Sequence, residues 1–279
     1  MSLVPHIEHW GLEDAAFEDR RDPRLLVPVG SHAEAIARLT YLVTHSSRGL
    51  ATVVGEAGSG KSLIAATLAS RLGAPAYPVA YLPTARFSFA ELLVDAMRQL
   101  TSDGIEPDTF DLYPLMRAFD AVCAELVATG ARSIVWILDD ADELDDDALR
   151  ALRAVRTLGP LDGPHPLTIL LVGDLPQLDD RLASLPAVEA RIEERVQLEP
   201  LTPEEVGAFL IGRLQAAGHP SGELFAAGCA ERLYEATDGN PRALCRLARL
   251  AMDNAYTQGF QEIPIEAVEE IVTDLFGEA

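Results

Sequence analysis

The stretch Gly55-Glu56-Ala57-Gly58-Ser59-Gly60-Lys61-Ser62 decides how this chain must fold. It satisfies G-x-x-x-x-G-K-[ST] at every position. The β-branched run Thr52-Val53-Val54 precedes it, and Leu63, Ile64, Ala65 and Leu68 follow at helical spacing. Strand, glycine turn and helix together make a phosphate cradle. The glycines let successive backbone N–H groups turn inward, and the helix start adds the positive end of its dipole. Residues 55–62 and the adjoining Leu63 are therefore expected to hold the phosphates of ATP or ADP. Lys61 brings a compact ammonium to the β- and γ-phosphates, and Ser62 brings a hydroxyl to Mg2+. Among the 22 Lys and Arg residues, Lys61 is the only lysine. It stands where a planar guanidinium would not fit the loop.

Outward from this loop, short apolar runs alternate with helical patterns. Strands are expected at Ala51–Gly55, Ala76–Leu82, Ser133–Leu138, Leu167–Val172 and Arg195–Leu198. The intervening helices should run from the loop to about Leu72, then over Phe89–Leu100, Tyr113–Ala128 and Ala148–Leu158. Such alternation predicts an α/β fold, a mostly parallel sheet covered on both faces as in P-loop NTPases. From Thr202 onward the pattern is helical only, at about 203–217, 221–237, 240–257 and 265–276. Thr202-Pro203-Glu204-Glu205 opens it as a capping box with proline at the first helical position. Ser31, followed by Glu34, reads as the N-cap of an earlier helix. Three zones follow: an N-terminal segment and helix at 1–48, the nucleotide-binding α/β domain at 49–200, and a helical lid at 201–279.

The second constellation is Ile134-Val135-Trp136-Ile137-Leu138-Asp139-Asp140. An apolar strand ends in two carboxylates on the side where open α/β sheets bind ligands. Asp139 is placed to hold the Mg2+ shell, and Asp140 to orient or deprotonate an attacking water. The alternative is an acidic helix cap, because Asp142, Glu143 and Asp145–Asp147 continue the run; for Asp145–Asp147 that reading is adopted.

Composition narrows the partners. The formal net charge is -22 and the pI about 4.5, so long-range forces repel nucleic acid and disfavour it as a ligand. No apolar run reaches the roughly 20 residues of a membrane-spanning helix, so direct membrane insertion is not expected. Met1–Trp10 lacks the pattern of a secretory signal, which makes the cytoplasm the expected location. Cys123, Cys229 and Cys245 are widely spaced in apolar helical segments and read as reduced core thiols.

With these motifs in hand, the chain resembles AAA+ ATPases, and within them the ExeA/GspA-type secretion ATPases, which share a clade with the Mu B and TnsC-type transposition ATPases. The resemblance runs along nearly the whole chain. His9-Trp10-Gly11-Leu12 through Phe17 and Asp22-Pro23-Arg24-Leu25-Leu26 resemble that family's opening signature, although Ala16 replaces a usual proline. Ser31-His32-Ala33-Glu34-Ala35 resembles the next segment, which implies Leu25, Leu26 and His32 as adenine-side residues. Leu171-Val172-Gly173-Asp174-Leu175-Pro176-Gln177-Leu178 resembles the segment that puts a polar side chain, here Asp174 instead of glutamine, near the γ-phosphate. Ala190-Arg191-Ile192 and Arg195-Val196-Gln197-Leu198 resemble the segment carrying a trans-acting arginine. The resemblance implies Arg191, or else Arg195, for that role; an intramolecular salt bridge with Glu189, Glu193 or Glu194 is the alternative. Asp238-Gly239-Asn240-Pro241-Arg242 resembles the turn whose arginine, Arg242, reads the γ-phosphate.

The resemblance also implies a homo-oligomer in the ATP state, a ring or helical filament, acting on a protein partner in secretion or envelope export. Two departures qualify it. The family's second acidic residue is glutamate, and the shorter Asp140 implies slow hydrolysis, closer to a timed switch than a motor. The secretion relatives often continue into a membrane helix and a cell-wall-binding domain, so attachment here is expected through a partner. A transposition-type DNA selector is the competing function, with Arg150, Arg153 and Arg156 as a basic stripe unless they pair with Asp145–Asp147.

Overall fold

The computed structural model describes residues 5–46, 49–101, 110–157 and 166–277. In chain order, α1 (Pro5–His9) and α2 (Gly30–Tyr41) precede β1 (Gly49–Gly55) and α3 (Lys61–Arg71). Then come β2 (Val79–Leu82), α4 (Phe89–Leu100), α5 (Leu112–Ala128), β3 (Ile134–Leu138) and α6 (Asp146–Val155). Next are β4 (Leu167–Asp174), α7 (Gln177–Ala183), α8 (Pro186–Glu189) and β5 (Glu194–Leu198). Helices α9 (Pro203–Ala216), α10 (Cys229–Thr237), α11 (Pro241–Thr257) and α12 (Ile265–Phe276) follow. The chain divides into two compact units. A sheet unit comprises Glu34–Ala57 and Ile64–Leu198, and a helical unit comprises Met1–Ala33, Gly58–Leu63 and Glu199–Ala279.

In the sheet unit the five strands run in the order β2-β3-β4-β1-β5, and each neighbouring pair is parallel. β1 and β3 are buried along their whole length, as continuous apolar runs covered on both faces must be. Trp136 lies at the centre of the core, its ring 5.5 Å from Phe119 and 6.0 Å from Phe89. The registers pair Gly55 with Asp174 and Leu138 with Leu171. The glycine loop's first residue, the Asp139 turn and Asp174 therefore leave the sheet at the same end.

β2 begins at Val79 rather than Ala76. Pro75 and Pro78 lack N–H groups and stop the regular ladder from starting earlier, although the carbonyls of Ala76 and Pro78 still accept from Arg132 and Val135 N–H at 2.8 and 2.9 Å. α6 starts at Asp146 and ends at Val155; Leu158, the expected end, lies outside the described residues. Ser31 is not an N-cap, because α2 already starts at Gly30. Its hydroxyl instead accepts from Glu199 N–H at 3.1 Å.

The helical unit buries Leu210, Leu214, Leu233, Leu244, Ala248 and Val268 in one core, and Trp10, Leu12 and Phe17 of the N-terminal segment join it. Arg213 fixes that segment. Its buried guanidinium donates to the carbonyls of Ala16 at 2.7 Å, Glu18 at 3.0 Å and Leu25 at 3.2 Å. α10 is shorter than the helical pattern from 221 suggests. Gly228 at φ 88 blocks helix before Cys229, and residues 224–226 instead pair with Ile263, whose N–H donates to Leu224 O at 2.7 Å. At the start of α9 the expected capping box forms, with Thr202 N–H donating to Glu205 Oε2 at 2.9 Å.

Candidate nucleotide-binding site

β1 delivers the chain to Gly55, and α3 takes it up at Lys61. Between them Gly58 has φ +86 and Gly60 φ +96, a backbone region that L side chains rarely occupy. Space is equally restrictive. A Cβ on Gly58 would lie 2.7 Å from Asn240 Oδ1, and one on Gly60 would lie 3.3 Å from His32 Nε2. Ser59 is 2 % exposed and Lys61 8 %.

Two elements of the helical unit hold the loop's second half. Arg242 N–H donates to Gly58 O at 3.2 Å. Asn240 caps α11 through its Oδ1, which accepts from Arg242 and Ala243 N–H at 3.1 and 3.2 Å; Pro241 takes the first helical position, where a missing N–H costs nothing. His32 Nε2 is 2.7 Å from Ser59 O, so the ring donates from Nε2. Burial pushes this imidazole below its ordinary pKa, with the Ser59 bond opposing. The structure thus gives His32 a supporting contact to the loop itself. Leu25 is buried and Leu26 half-buried in the same segment. The Arg242 guanidinium pairs with Asp19, Nε to Oδ2 2.9 Å, both side chains largely exposed. Positive-φ glycines, an enclosed ammonium and the buried Ser59 hydroxyl, which has no hydrogen-bond partner among the described residues, fit a polyphosphate.

At the end of β3, Asp139 is 2 % exposed. Its N–H donates to Leu82 O at 2.9 Å. Its carboxylate accepts from the Tyr81 hydroxyl at 3.0 Å and from Asp140 N–H at 3.2 Å. Asp140 is left-handed, φ 53 and ψ 39, and opens a single 3-10 turn over Ala141–Glu143. Aspartate is among the few residues that adopt this conformation readily. Asp174, half-buried at the end of β4, donates its N–H to Asp142 Oδ1 at 3.0 Å. Sequence reasoning missed Tyr81, which falls in no motif, and read Asp142 only as part of an acidic run; the strand order brings them to these positions.

The remaining carboxylates behave as surface groups. Asp145 caps α6, and Asp146 and Asp147 pair with Arg150 at 3.6 and 3.0 Å. Arg156 pairs instead with Glu193 at 3.2 Å. Arg195 is held by Glu189 at 2.5 Å and Asp179 at 3.4 Å. Arg191 is exposed and makes no ion pair among the described residues. The three cysteines are free and buried, and burial raises the Cys123 thiol to about 12 and the Cys229 thiol to about 11. Among the described residues, no helix is long and apolar enough to cross a membrane.

Residues 44–182 match the AAA domain family. No curated protein matches the chain. Among solved structures it is similar to the ORC2 protein of Aeropyrum pernix, solved in ADPNP-ADP complexes, with a TM-score of 0.72, 20% identity, and 94% of this chain and 72% of that one covered. It is also similar to Cdc6p from Pyrobaculum aerophilum, with a TM-score of 0.68, 18% identity and coverage of 96% and 73%. RuvB of Thermotoga maritima is more distant, with a TM-score of 0.54, 15% identity and coverage of 87% and 69%. At such identities the likeness speaks for the fold alone. The parallel five-stranded sheet, its flanking helices and the match of residues 44–182 to the AAA domain model agree on the fold, which is the P-loop fold of AAA domains.

Proposed function

We propose that the chain binds and hydrolyses ATP and uses nucleotide state to drive self-assembly and the remodelling of a protein partner. The observation that carries this reading is the loop from Gly55 to Ser62, with Gly58 and Gly60 at positive φ and the chain's single lysine enclosed at the helix start. Residues 55–63 would hold the phosphates, and Leu25 and Leu26 would face the adenine. Ser62 and Asp139 would hold Mg2+, which when bound neutralises charge on the phosphates. Asp140 would orient the attacking water, Asp174 would monitor the same end of the sheet, and Arg242 would read the γ-phosphate. Arg191, exposed and without an ion pair among the described residues, suits a role toward a neighbouring subunit better than Arg195, which Glu189 and Asp179 hold. In this reading 49–200 is the catalytic domain, 201–279 the lid and 1–48 the adenine-side segment.

The resemblance to ExeA/GspA-type ATPases supports a partner in secretion or envelope export. A nucleic-acid role has one specific observation in its favour, the similarity to the Aeropyrum pernix ORC1 protein solved in complex with DNA. Against it stand the net charge of -22 and the carboxylate partners of Arg150 and Arg156. Sedimentation with ATP-Mg, with ADP-Mg and without nucleotide tests the proposal, alongside steady-state phosphate release. Assembly with ATP only and measurable release are expected. A monomer in all three states would remove Arg191 from its role. Duplex binding at low salt with a steep salt slope would favour the nucleic-acid reading.

A further inference from the structure

Asp139 is a carboxylate almost without solvent, and a buried carboxylate keeps a fixed orientation only through its hydrogen-bond donors. One is local, the N–H of Asp140 at 3.2 Å. Another comes from a different strand, the hydroxyl of Tyr81, 3.0 Å from Oδ2. Tyr81 lies on β2, the edge of the sheet, where a strand has no neighbour on one side to fix its register. Here a side chain substitutes for that neighbour. Gln99 of α4 accepts from Tyr81 N–H at 2.9 Å through Oε1 and donates through Nε2 to Tyr81 O at 3.1 Å. One amide thus completes both peptide hydrogen bonds of the residue whose hydroxyl holds Asp139.

We propose that Tyr81 is a positioning residue for the metal-side carboxylate, and that Gln99 sets Tyr81 in turn. The proposal rests on the reading of Asp139 as the Mg2+-side residue. The hydroxyl on Oδ2 stops the carboxylate from rotating about its Cβ–Cγ bond. Without it, the carboxylate loses the donor that reaches it from the neighbouring strand and keeps that of its own turn, the Asp140 N–H. Outer partners of metal-side ligands act in this way, and losing one typically weakens metal affinity about tenfold or more. Phenylalanine at position 81 retains the ring's packing and removes only the hydroxyl.

The test compares the full chain with Tyr81→Phe, Gln99→Ala and Asp139→Asn, binding a non-hydrolysable ATP analogue with Mg2+ and with EDTA. The readout is the gain in affinity that Mg2+ confers. Tyr81→Phe is expected to cut that gain about tenfold and to leave metal-free affinity within about twofold. Gln99→Ala should act in the same direction but less. A purely structural tyrosine would weaken both affinities alike, and that result overturns the proposal. So does an unchanged Mg2+ gain in Tyr81→Phe when Asp139→Asn abolishes it. If Asp139→Asn itself retains the full gain, the metal-side reading of Asp139 is what fails. Melting temperatures of the three variants identify any that fold poorly, and for those the ratio of the two affinities still decides.

Discussion

At the glycine loop, conformation is written into residue type: Gly58 and Gly60 occupy positive φ, and their neighbours close on the bare backbone. At the end of β3, conformation is imposed from outside. Asp139 follows five buried apolar residues, and its carboxylate is held by Tyr81 from the next strand. The first region is local and the second is assembled by topology. The comparison teaches that the loop should fail sharply when one residue changes, whereas the carboxylate end should separate binding from turnover.

Gly60→Ala should give the largest effect. The new methyl group meets an unfavourable φ and the His32 ring together, and the loop must open to relieve both. We expect nucleotide affinity to fall by about 100-fold or more while the sheet unit keeps its melting temperature within about 5 °C. Calorimetric titration checks the first quantity and thermal denaturation the second. An alanine variant that binds normally would show that the loop's positive φ is not what holds phosphate.

Asp140→Asn provides the contrast. The left-handed backbone tolerates asparagine as well as aspartate, so the fold and nucleotide affinity should change by less than about threefold, and turnover should fall by about 100-fold. Asp140→Glu is more informative. Its added methylene restores the reach usual in the resembled family and should raise turnover, but a glutamate at φ 53 should lower stability by about 1 kcal/mol. Phosphate release and urea melts on the same preparation separate the two. Turnover unchanged or lower at preserved stability would end the idea that the short carboxylate slows hydrolysis.

The same contrast explains what the sequence could reveal. The loop, the strands and Asp139 are legible because their information is consecutive: a glycine spacing, an apolar run, a carboxylate pair. α4 is found at its full Phe89–Leu100 extent because Ser88 and Glu91 form a capping box beside a strongly amphipathic pattern. Ser31 misleads because a hydroxyl before a helical pattern reads as a cap, whereas Glu199, 168 residues away, engages it. α10 misleads for a related reason, since nothing local indicates that residues 224–226 find a partner at Ile263. Tyr81 and Gln99 were invisible for the same cause, their importance arising only when β2 becomes an edge beside β3.

Asn240→Ala tests how firmly the helical unit grips the loop. It removes the α11 cap, which should cost about 1 kcal/mol, and the side chain packed on Gly58. Nucleotide affinity should fall by about threefold to tenfold, less than for Gly60→Ala. An effect on stability alone would mean that the Asn240 side chain adds nothing to the grip, which then rests on the Arg242 N–H to Gly58 O and the His32 ring to Ser59 O.

The smallest effect is a pH dependence at His32. Burial holds its folded pKa below the ordinary value near 6.5, so on acidification the unfolded chain takes up the proton first. Stability linked to this residue is therefore complete above about pH 6.5 and is lost as pH falls through the folded value. His32→Gln preserves a side-chain N–H donor and removes the titration. The wild-type protein should be more stable than the variant at about pH 7.5, and the difference should narrow or reverse toward about pH 5.5. Because carboxylates titrate identically in both proteins, the difference isolates the imidazole. A constant difference across the window would mean that the ring gains its proton as easily folded as unfolded, which is incompatible with a histidine enclosed against Ser59 and Gly60.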